Sequence, residues 1–252
     1  MYSQQQILKR KHINSELNHI FSYPLTIVVA AMGYGKTTTA WDFLQEVNAK
    51  YVWLSIGSDE SSPQYIWQSL IKQISRVLPE LGKQLHAAGF PERPAQRDRV
   101  VNIIEERTFR SNLIVVLDDY HFARSSELDT LVERLVKARI EGFHILILSR
   151  SLPEIAIDEL ILKGYCCLIK HNLFEFSPEE IKQYFALHGY MISDATALEI
   201  GHISEGWISA VYLMMQRYRE VGSVEQVTSI ERLIETAVMS NYTQGEIQVL
   251  MM

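Results

Sequence analysis

The sequence has few of the features that mark secreted or membrane-spanning chains. It has only two cysteines among 252 residues, and these two, Cys166 and Cys167, are adjacent. Because neighbouring residues of a strand point to opposite faces, we expect neither a disulfide framework nor a zinc site from them. No apolar run approaches the ~18 residues that cross a bilayer, and no hydrophobic leader region follows Met1. We therefore expect a cytoplasmic chain with no membrane contact.

An excess of positive charge is also absent. The chain has 24 Lys and Arg residues against 30 Asp and Glu residues, a formal net charge of -6. This balance argues against a broad nucleic-acid-binding surface on this segment. The hydrophobic content of 47% is enough for one large domain, or for a medium domain followed by a small one.

What the sequence does contain is a series of short apolar runs that alternate with helical patterns. The runs are rich in β-branched residues and do not alternate with polar ones, which is typical of a parallel sheet covered on both faces. Five strands are predicted: TIVVA (26–30), YVWLSI (51–56), LIVVLD (113–118), HILILS (144–149) and YCCLIK (165–170). The segment SSELDTLVERLVKARI has the apolar spacing of a helix. The predicted fold class is α/β, with helices on both sides of the sheet.

After Lys170 the pattern becomes entirely helical. SPEEIKQYFALHGY opens with a capping box, in which Ser177 is the N-cap, Pro178 the first helical residue and Glu180 the partner. The last segment, TQGEIQVLMM, begins with a second capping box and ends in apolar residues. We expect that a further domain normally covers this apolar end; a C-terminal helix docked on the body is the alternative.

A glycine-containing loop joins the first predicted strand to a helical pattern. The phosphate-binding loop has the form G-x-x-x-x-G-K-[ST] between a strand and a helix. Gly35, Lys36 and Thr37 satisfy its second half, while Ala30 stands at the first glycine position. Alanine fits there if its φ is negative. Backbone N–H groups at a helix N-terminus suit phosphate oxygens, so the loop predicts a nucleotide site.

Two carboxylates end the buried strand LIVVLDD. A magnesium ion held by Thr37 needs an acidic partner at the carboxyl end of a nearby strand. Asp118 is predicted to be that metal ligand, and Asp119 to orient or deprotonate a water beside the terminal phosphate. The alternative is a pair of aspartates that merely end the strand or cap the next helix.

An arginine follows the fourth predicted strand. A guanidinium at this edge of the sheet can detect the terminal phosphate through bidentate hydrogen bonds, so Arg150 joins Lys36 and Asp119 as a predicted catalytic residue. These residues all follow strand ends, where open α/β sheets bind ligands. The predicted cofactors are ATP or ADP with Mg²⁺.

The motifs AAMGYGKTT, LDDYH, LSR, LFEFSPEEI and SEGW resemble the MalT-like branch of the STAND (signal-transducing) P-loop ATPases, regulators that often end in a LuxR-type DNA-binding domain. The resemblance covers most of the chain. It implies a P-loop nucleotide-binding domain over residues 1–171, a small helical domain over 172–225 and the start of a winged helix over 226–252. It also implies self-association in the ATP state, slow hydrolysis, an inducer or regulatory protein sensed through other domains, and DNA binding through a domain outside this segment.

The resemblance also assigns nucleotide-binding residues. The phosphate-loop set comprises Ala31, Met32, Gly33, Tyr34, Gly35, Lys36, Thr37 and Thr38. Gly206 and Ile208 lie where the wider class has a Gly-x-Pro motif that contacts adenine, with isoleucine replacing the proline. His121 belongs either to the nucleotide pocket or to the structure of the helix that it opens.

Two other classes of function are compatible with the sequence. A P-loop kinase or other phosphotransferase would need an arginine-rich lid, for which the tract ERPAQRDR (92–99) is a candidate; this tract also reads as a loop leading into a helix. A scaffold with a decayed nucleotide site is the other alternative, against which Lys36, Thr37 and the paired aspartates argue.

Overall fold

The computed structural model describes residues 7–58 and 62–223 of the chain. These residues divide into two compact units. The first comprises Arg10–Met32 and Lys36–His171, and the second comprises residues 7–9, 33–35 and 172–223. The predicted winged-helix start at 226–252, with the capping box of TQGEIQVLMM, lies outside the described residues. The predicted domain boundaries remain predictions.

The first unit is built on five parallel strands, β1 (Leu25–Val29), β2 (Lys50–Ser55), β3 (Leu113–Asp118), β4 (Phe143–Ser149) and β5 (Cys166–Lys170). Their order across the sheet is β2-β3-β4-β1-β5. Every residue of β3 and β4 is buried, as expected for central strands covered on both faces. The α/β prediction is confirmed, and each strand differs from its predicted bounds by at most one residue at either end.

Among its described residues, this unit has the α-helices α1 (Lys11–Leu17), α2 (Lys36–Glu46), α3 (Pro63–Val77), α4 (Pro79–Ala88), α5 (Pro94–Glu105), α6 (Ser126–Ala138) and α7 (Ile157–Leu162). Helix α6 shows why these segments are helical. The Ser125 hydroxyl accepts a hydrogen bond from the Leu128 N–H at 3.2 Å, which caps the helix. Leu128, Leu131, Val132 and Leu135 then recur on one face and are buried in the core.

The second unit is helical, with α8 (Pro178–Leu187), α9 (Asp194–Ser204) and α10 (Ile208–Val221). The predicted capping box at the start of α8 is present, since Ser177 and Glu180 exchange backbone and side-chain hydrogen bonds of 3.0 and 3.3 Å. A separate core of buried side chains holds these helices together: Phe176, Ile181, Phe185, Ile192, Ala197, Ile200, Val211, Met214 and Met215. Across the described part of the chain, none of the helices has the length and apolar character needed to cross a membrane.

Candidate functional site

The sheet brings the predicted site residues to one edge. Because β1, β3 and β4 are parallel, their carboxyl ends face the same side of the unit. The last residue of β1, Val29, pairs with Ser149, the last residue of β4. Asp118 ends β3 opposite Ser55, the last residue of β2. The residues that follow these strands therefore lie at one edge of the sheet.

The loop after β1 has the backbone geometry that a phosphate-binding loop requires. Gly33 and Gly35 have φ values of +79° and +80°, a region that side chains rarely occupy. Ala30, at the first glycine position of the motif, is not among the described residues with positive φ. It is 3% exposed, and its N–H donates to the Ser149 carbonyl at 3.2 Å. The substitution of glycine by alanine is therefore compatible with the loop.

Lys36 begins α2 and folds its side chain back along this loop. Its Nζ donates to the carbonyl oxygens of Ala30 and Ala31, at 2.7 and 3.0 Å. The residue is only 7% exposed. Burial lowers the pKa of Lys36, and the neighbouring Arg150 adds to this effect, whereas the charge of Asp119 opposes it. The ammonium is thus held by neutral carbonyl groups in a site where an anion would stabilise its charge.

Thr37 and Asp118 are in direct contact. The Thr37 hydroxyl lies 3.2 Å from each carboxylate oxygen of Asp118, which is 3% exposed. Burial raises the pKa of Asp118, and the neighbouring charge of Asp119 raises it further, while the hydrogen bond from Thr37 lowers it. A buried carboxylate in such surroundings gains stability from a nearby cation. A hydroxyl and a carboxylate are oxygen ligands of the kind that magnesium prefers, so these two residues fit Mg²⁺.

Asp119 is held in an unusual backbone conformation. Its φ of 54° and ψ of 39° are left-handed, which is uncommon outside glycine. The short 3₁₀ helix Tyr120–Phe122 follows directly, with the Phe122 N–H donating to the Asp119 carbonyl at 3.0 Å and the Tyr120 hydroxyl donating to buried Asp129 at 2.8 Å. The main chain therefore turns sharply after Asp118 and presents the Asp119 carboxylate, 38% exposed, at the edge of the sheet.

An aromatic side chain that the sequence analysis did not single out connects two of the predicted residues. The Arg150 guanidinium carbon lies 5.7 Å from the centre of the Phe122 ring. The His121 ring lies against the same phenylalanine, with ring centres 4.1 Å apart. Only its position directly after DDYH could have pointed to Phe122, since no spacing rule distinguishes it from a core residue.

The remaining predicted loop residues have different environments. Ala31 is exposed, and Met32 is 63% exposed. Thr38 is exposed in the first turn of α2. Tyr34 is partly buried, and this burial, followed by the charges of Glu175 and Glu205, raises its pKa. Their roles toward a nucleotide remain predictions.

In the second unit, the structure gives Gly206 a packing role. Its φ is +72°, and a Cβ atom there would lie 2.8 Å from the backbone nitrogen of Phe176. That nitrogen donates to the Gly206 carbonyl at 2.8 Å. Ile208 begins α10 and packs, partly buried, against the core of this unit. Within the same unit, the Ser209 hydroxyl donates to the Gly33 carbonyl at 3.1 Å. Adenine contacts by Gly206 and Ile208 remain predictions.

Two further observations bear on the predicted chemistry. In residues 7–58 and 62–223, no three His, Cys, Asp or Glu side chains group as a metal cluster, so a metal here would rely on Thr37, Asp118 and a ligand.

The arginine-rich tract 92–99 runs into α5. Its Arg97 donates to the carbonyls of Pro91 and Glu92, at 3.2 and 2.6 Å. These local bonds give no support to a phosphotransferase lid.

The sheet order and the loop after β1 define a P-loop ATPase fold. The Walker-type ATPase PABY2304 of Pyrococcus abyssi superposes with a TM-score of 0.61 over 97% of this chain and 75% of its own, at 18% identity. In sequence, the chain is similar to the HTH-type transcriptional regulator MalT. It is 26% identical to MalT of Vibrio cholerae over 81% of the chain, and 24% identical to MalT of Yersinia pestis over 96%.

These comparisons confirm the resemblance to MalT-like regulators and the fold. The chain spans about a quarter of the length of these curated relatives, 23% and 27% respectively. No family model matches the chain.

Proposed function

We propose that this chain is the nucleotide-binding switch of a MalT-like transcriptional regulator. It binds ATP and ADP with Mg²⁺, hydrolyses ATP slowly, and self-associates in the ATP state. The similarity to MalT over most of the chain supports the regulatory class. An inducer or regulatory protein would act through domains outside this segment, and DNA would be bound by a C-terminal domain. The proposed compartment is the cytoplasm.

The observation that carries the proposal is the contact between Thr37 and Asp118 beside the Lys36 loop. The ends of two strands, β1 and β3, bring a hydroxyl, a buried carboxylate and a buried ammonium to one edge of the sheet. A decayed site would have no reason to keep a carboxylate and an ammonium buried, since both are costly without a ligand. A triphosphate with a cation would compensate both charges.

Each residue has a distinct role in the proposed mechanism. The backbone N–H groups of residues 33–37 donate hydrogen bonds to the phosphate oxygens, and Lys36 turns from its carbonyl partners toward these oxygens. Thr37 and Asp118 hold the magnesium, which neutralises phosphate charge when bound. Asp119 orients the attacking water, and Arg150 detects whether the terminal phosphate is present. The nucleotide shifts the switch only by its difference in affinity for the two states.

Replacing Asp118 with asparagine tests the proposal. Asp118→Asn keeps the size of the side chain and an oxygen for Thr37, but removes the charge on which magnesium depends. We expect ATP affinity measured by calorimetry to fall at least about tenfold with Mg²⁺ present, the loss of one charge-assisted contact. Without Mg²⁺, we expect the affinity to change little.

The matched control is Asp158→Asn, an exposed aspartate in α7, which should bind ATP as the unaltered chain does. Asp118→Asn should also remain folded, because the carboxylate that it removes is buried and the pKa of this carboxylate is already raised. An Asp118→Asn variant with unchanged affinity and unchanged Mg²⁺ dependence would remove the proposed metal site.

A further inference from the structure

His121 is a largely buried polar side chain whose two ring nitrogens have no hydrogen-bond partner within the described residues. Its side chain is 12% exposed. Both ring nitrogens are shielded from solvent, and neither has a hydrogen-bond partner within the described residues. Such groups are rare in folded proteins, because a polar atom that leaves water without a partner destabilises the fold. A function in another state of the site would account for it.

The ring is fixed in place while its nearest charged neighbour is more exposed. His121 packs on Phe122, with the ring centres 4.1 Å apart, and both lie in the 3₁₀ helix that the bond from Tyr120 to Asp129 anchors. Nδ1 of His121 lies 3.9 Å from Oδ1 of Asp119, whose side chain is 38% exposed. This distance is too long for a hydrogen bond, but shortening it by about 0.7 Å would form one.

The surroundings of the ring favour its neutral form. Burial, and then the charge of Arg150, lower the pKa of His121, whereas Asp119 raises it. A neutral imidazole has one N–H and one bare nitrogen. The Asp119 carboxylate beside Nδ1 favours placing the proton on that nitrogen. The ring can then donate a hydrogen bond to the carboxylate without adding a positive charge beside Lys36 and Arg150.

We propose that His121 is a positioning residue for Asp119: its Nδ1–H donates to the carboxylate once nucleotide is bound and fixes the other carboxylate oxygen toward the attacking water. This inference rests on the proposed function, because Asp119 needs a water to orient only if the chain hydrolyses ATP. His121 does not itself contact the reacting atoms in this arrangement. It orients the Asp119 carboxylate. Hydrogen bonds of this kind are often long in the nucleotide-free protein and shorten in the complex.

The first test uses the nucleotide-free chain and does not depend on activity. Nitrogen-15 chemical shifts of the His121 ring report which nitrogen holds the proton. We expect the Nδ1–H form in the unaltered chain and a loss of that preference in Asp119→Asn. An Nε2–H form in the unaltered chain, or no change in the variant, would overturn the proposal.

The second test compares three replacements of His121 in steady-state ATP hydrolysis. His121→Phe keeps the ring against Phe122 but removes both nitrogens, so kcat should fall about 10- to 100-fold, the range for one hydrogen bond to a charged group. KM should change less than about threefold, because ground-state binding is not involved. His121→Asn places an amide near Nδ1 and should recover most of the loss. His121→Gln places it near Nε2 and should not.

Combining His121→Phe with Asp119→Asn shows whether the histidine acts through the aspartate. If it does, the phenylalanine has no further effect on kcat in the Asp119→Asn background. An equal fall in both backgrounds, or a His121→Phe variant with unchanged kcat, would overturn the proposal. If the Asp119→Asn rate is too low to measure, the ring tautomer in the free chain decides the question.

Failure of the proposed function and failure of the role of His121 give different results. If the unaltered chain binds no ATP in calorimetry, the proposed function itself fails. If the unaltered chain binds ATP but does not hydrolyse it, the nucleotide site stands and the role of His121 is refuted. Thermal unfolding of each variant confirms that it is folded before its rate is interpreted.

Discussion

Replacing Lys36 with methionine should weaken ATP binding much more than it changes the stability of the fold. Lys36→Met keeps most of the aliphatic side chain that is buried at the start of α2, but removes the ammonium. In the proposed complex, this ammonium makes a charge-assisted contact with phosphate. Such contacts contribute about 1.5–3 kcal/mol, so ATP affinity should fall about 10- to 150-fold.

The expected change in stability is much smaller. In the free chain, Lys36 Nζ donates to Ala30 and Ala31 at 2.7 and 3.0 Å, and these bonds stabilise the fold. However, burying an ammonium costs several kcal/mol, which offsets the gain. The free energy of unfolding should therefore change by less than about 1.5 kcal/mol.

Two measurements on the same preparation check both halves of this prediction. Calorimetric titration with ATP and Mg²⁺ gives the affinity, and urea unfolding gives the stability. Lys50→Met is the control, because Lys50 is exposed at the amino end of β2, away from the strand ends that form the site. A Lys36→Met variant that binds ATP within about threefold of the unaltered chain would refute the assigned role, since such a difference is below 1 kcal/mol.

Two further predictions concern buried polar groups of the first unit. Burial lowers the pKa of His144, while its bond to the Tyr23 carbonyl opposes the shift. The unfolded chain therefore takes up the proton first, and stability is lost as pH falls below the unfolded pKa of about 6.5. His144→Phe should flatten this slope in urea unfolding between pH 7.5 and pH 5, whereas exposed His86→Gln should keep it; an unchanged slope in His144→Phe would contradict the reasoning. Tyr120→Phe should reduce the free energy of unfolding by about 1–3 kcal/mol, because it removes the side-chain donor to buried Asp129. A change of less than about 0.5 kcal/mol would show that the bond contributes little.

The sheet could be predicted from the sequence because its strands are unbroken apolar runs. Residues such as those of LIVVLD are buried on both faces, and no other local structure suits so short a run. The sequence also predicted that three residues lie at one edge of the sheet, Lys36, Asp118 and Arg150, because parallel strands place their carboxyl ends there. The strand order β2-β3-β4-β1-β5 could not be predicted from the sequence, because hydrophobic spacing carries no information about which strands are neighbours.

The details of the site depend on contacts between distant residues. Nothing in the spacing of DDYHF predicts the left-handed backbone of Asp119 or the hydrogen bond from Tyr120 to Asp129. The burial of His121 depends on its packing against Phe122. The hydrogen bonds from Lys36 to Ala30 and Ala31 could not be predicted without the geometry of the loop. The nucleotide roles of Gly206 and Ile208 stay predictions.

The most direct test of the account is a crystal structure of the chain with Mg²⁺ and a non-hydrolysable ATP analogue. The account predicts the phosphates on the backbone N–H groups of residues 33–37, with Lys36 turned toward them and the metal bound by Thr37 and Asp118. A site that stays empty at saturating analogue, or Lys36 still bonded to Ala30 and Ala31 with the analogue bound elsewhere, would contradict it.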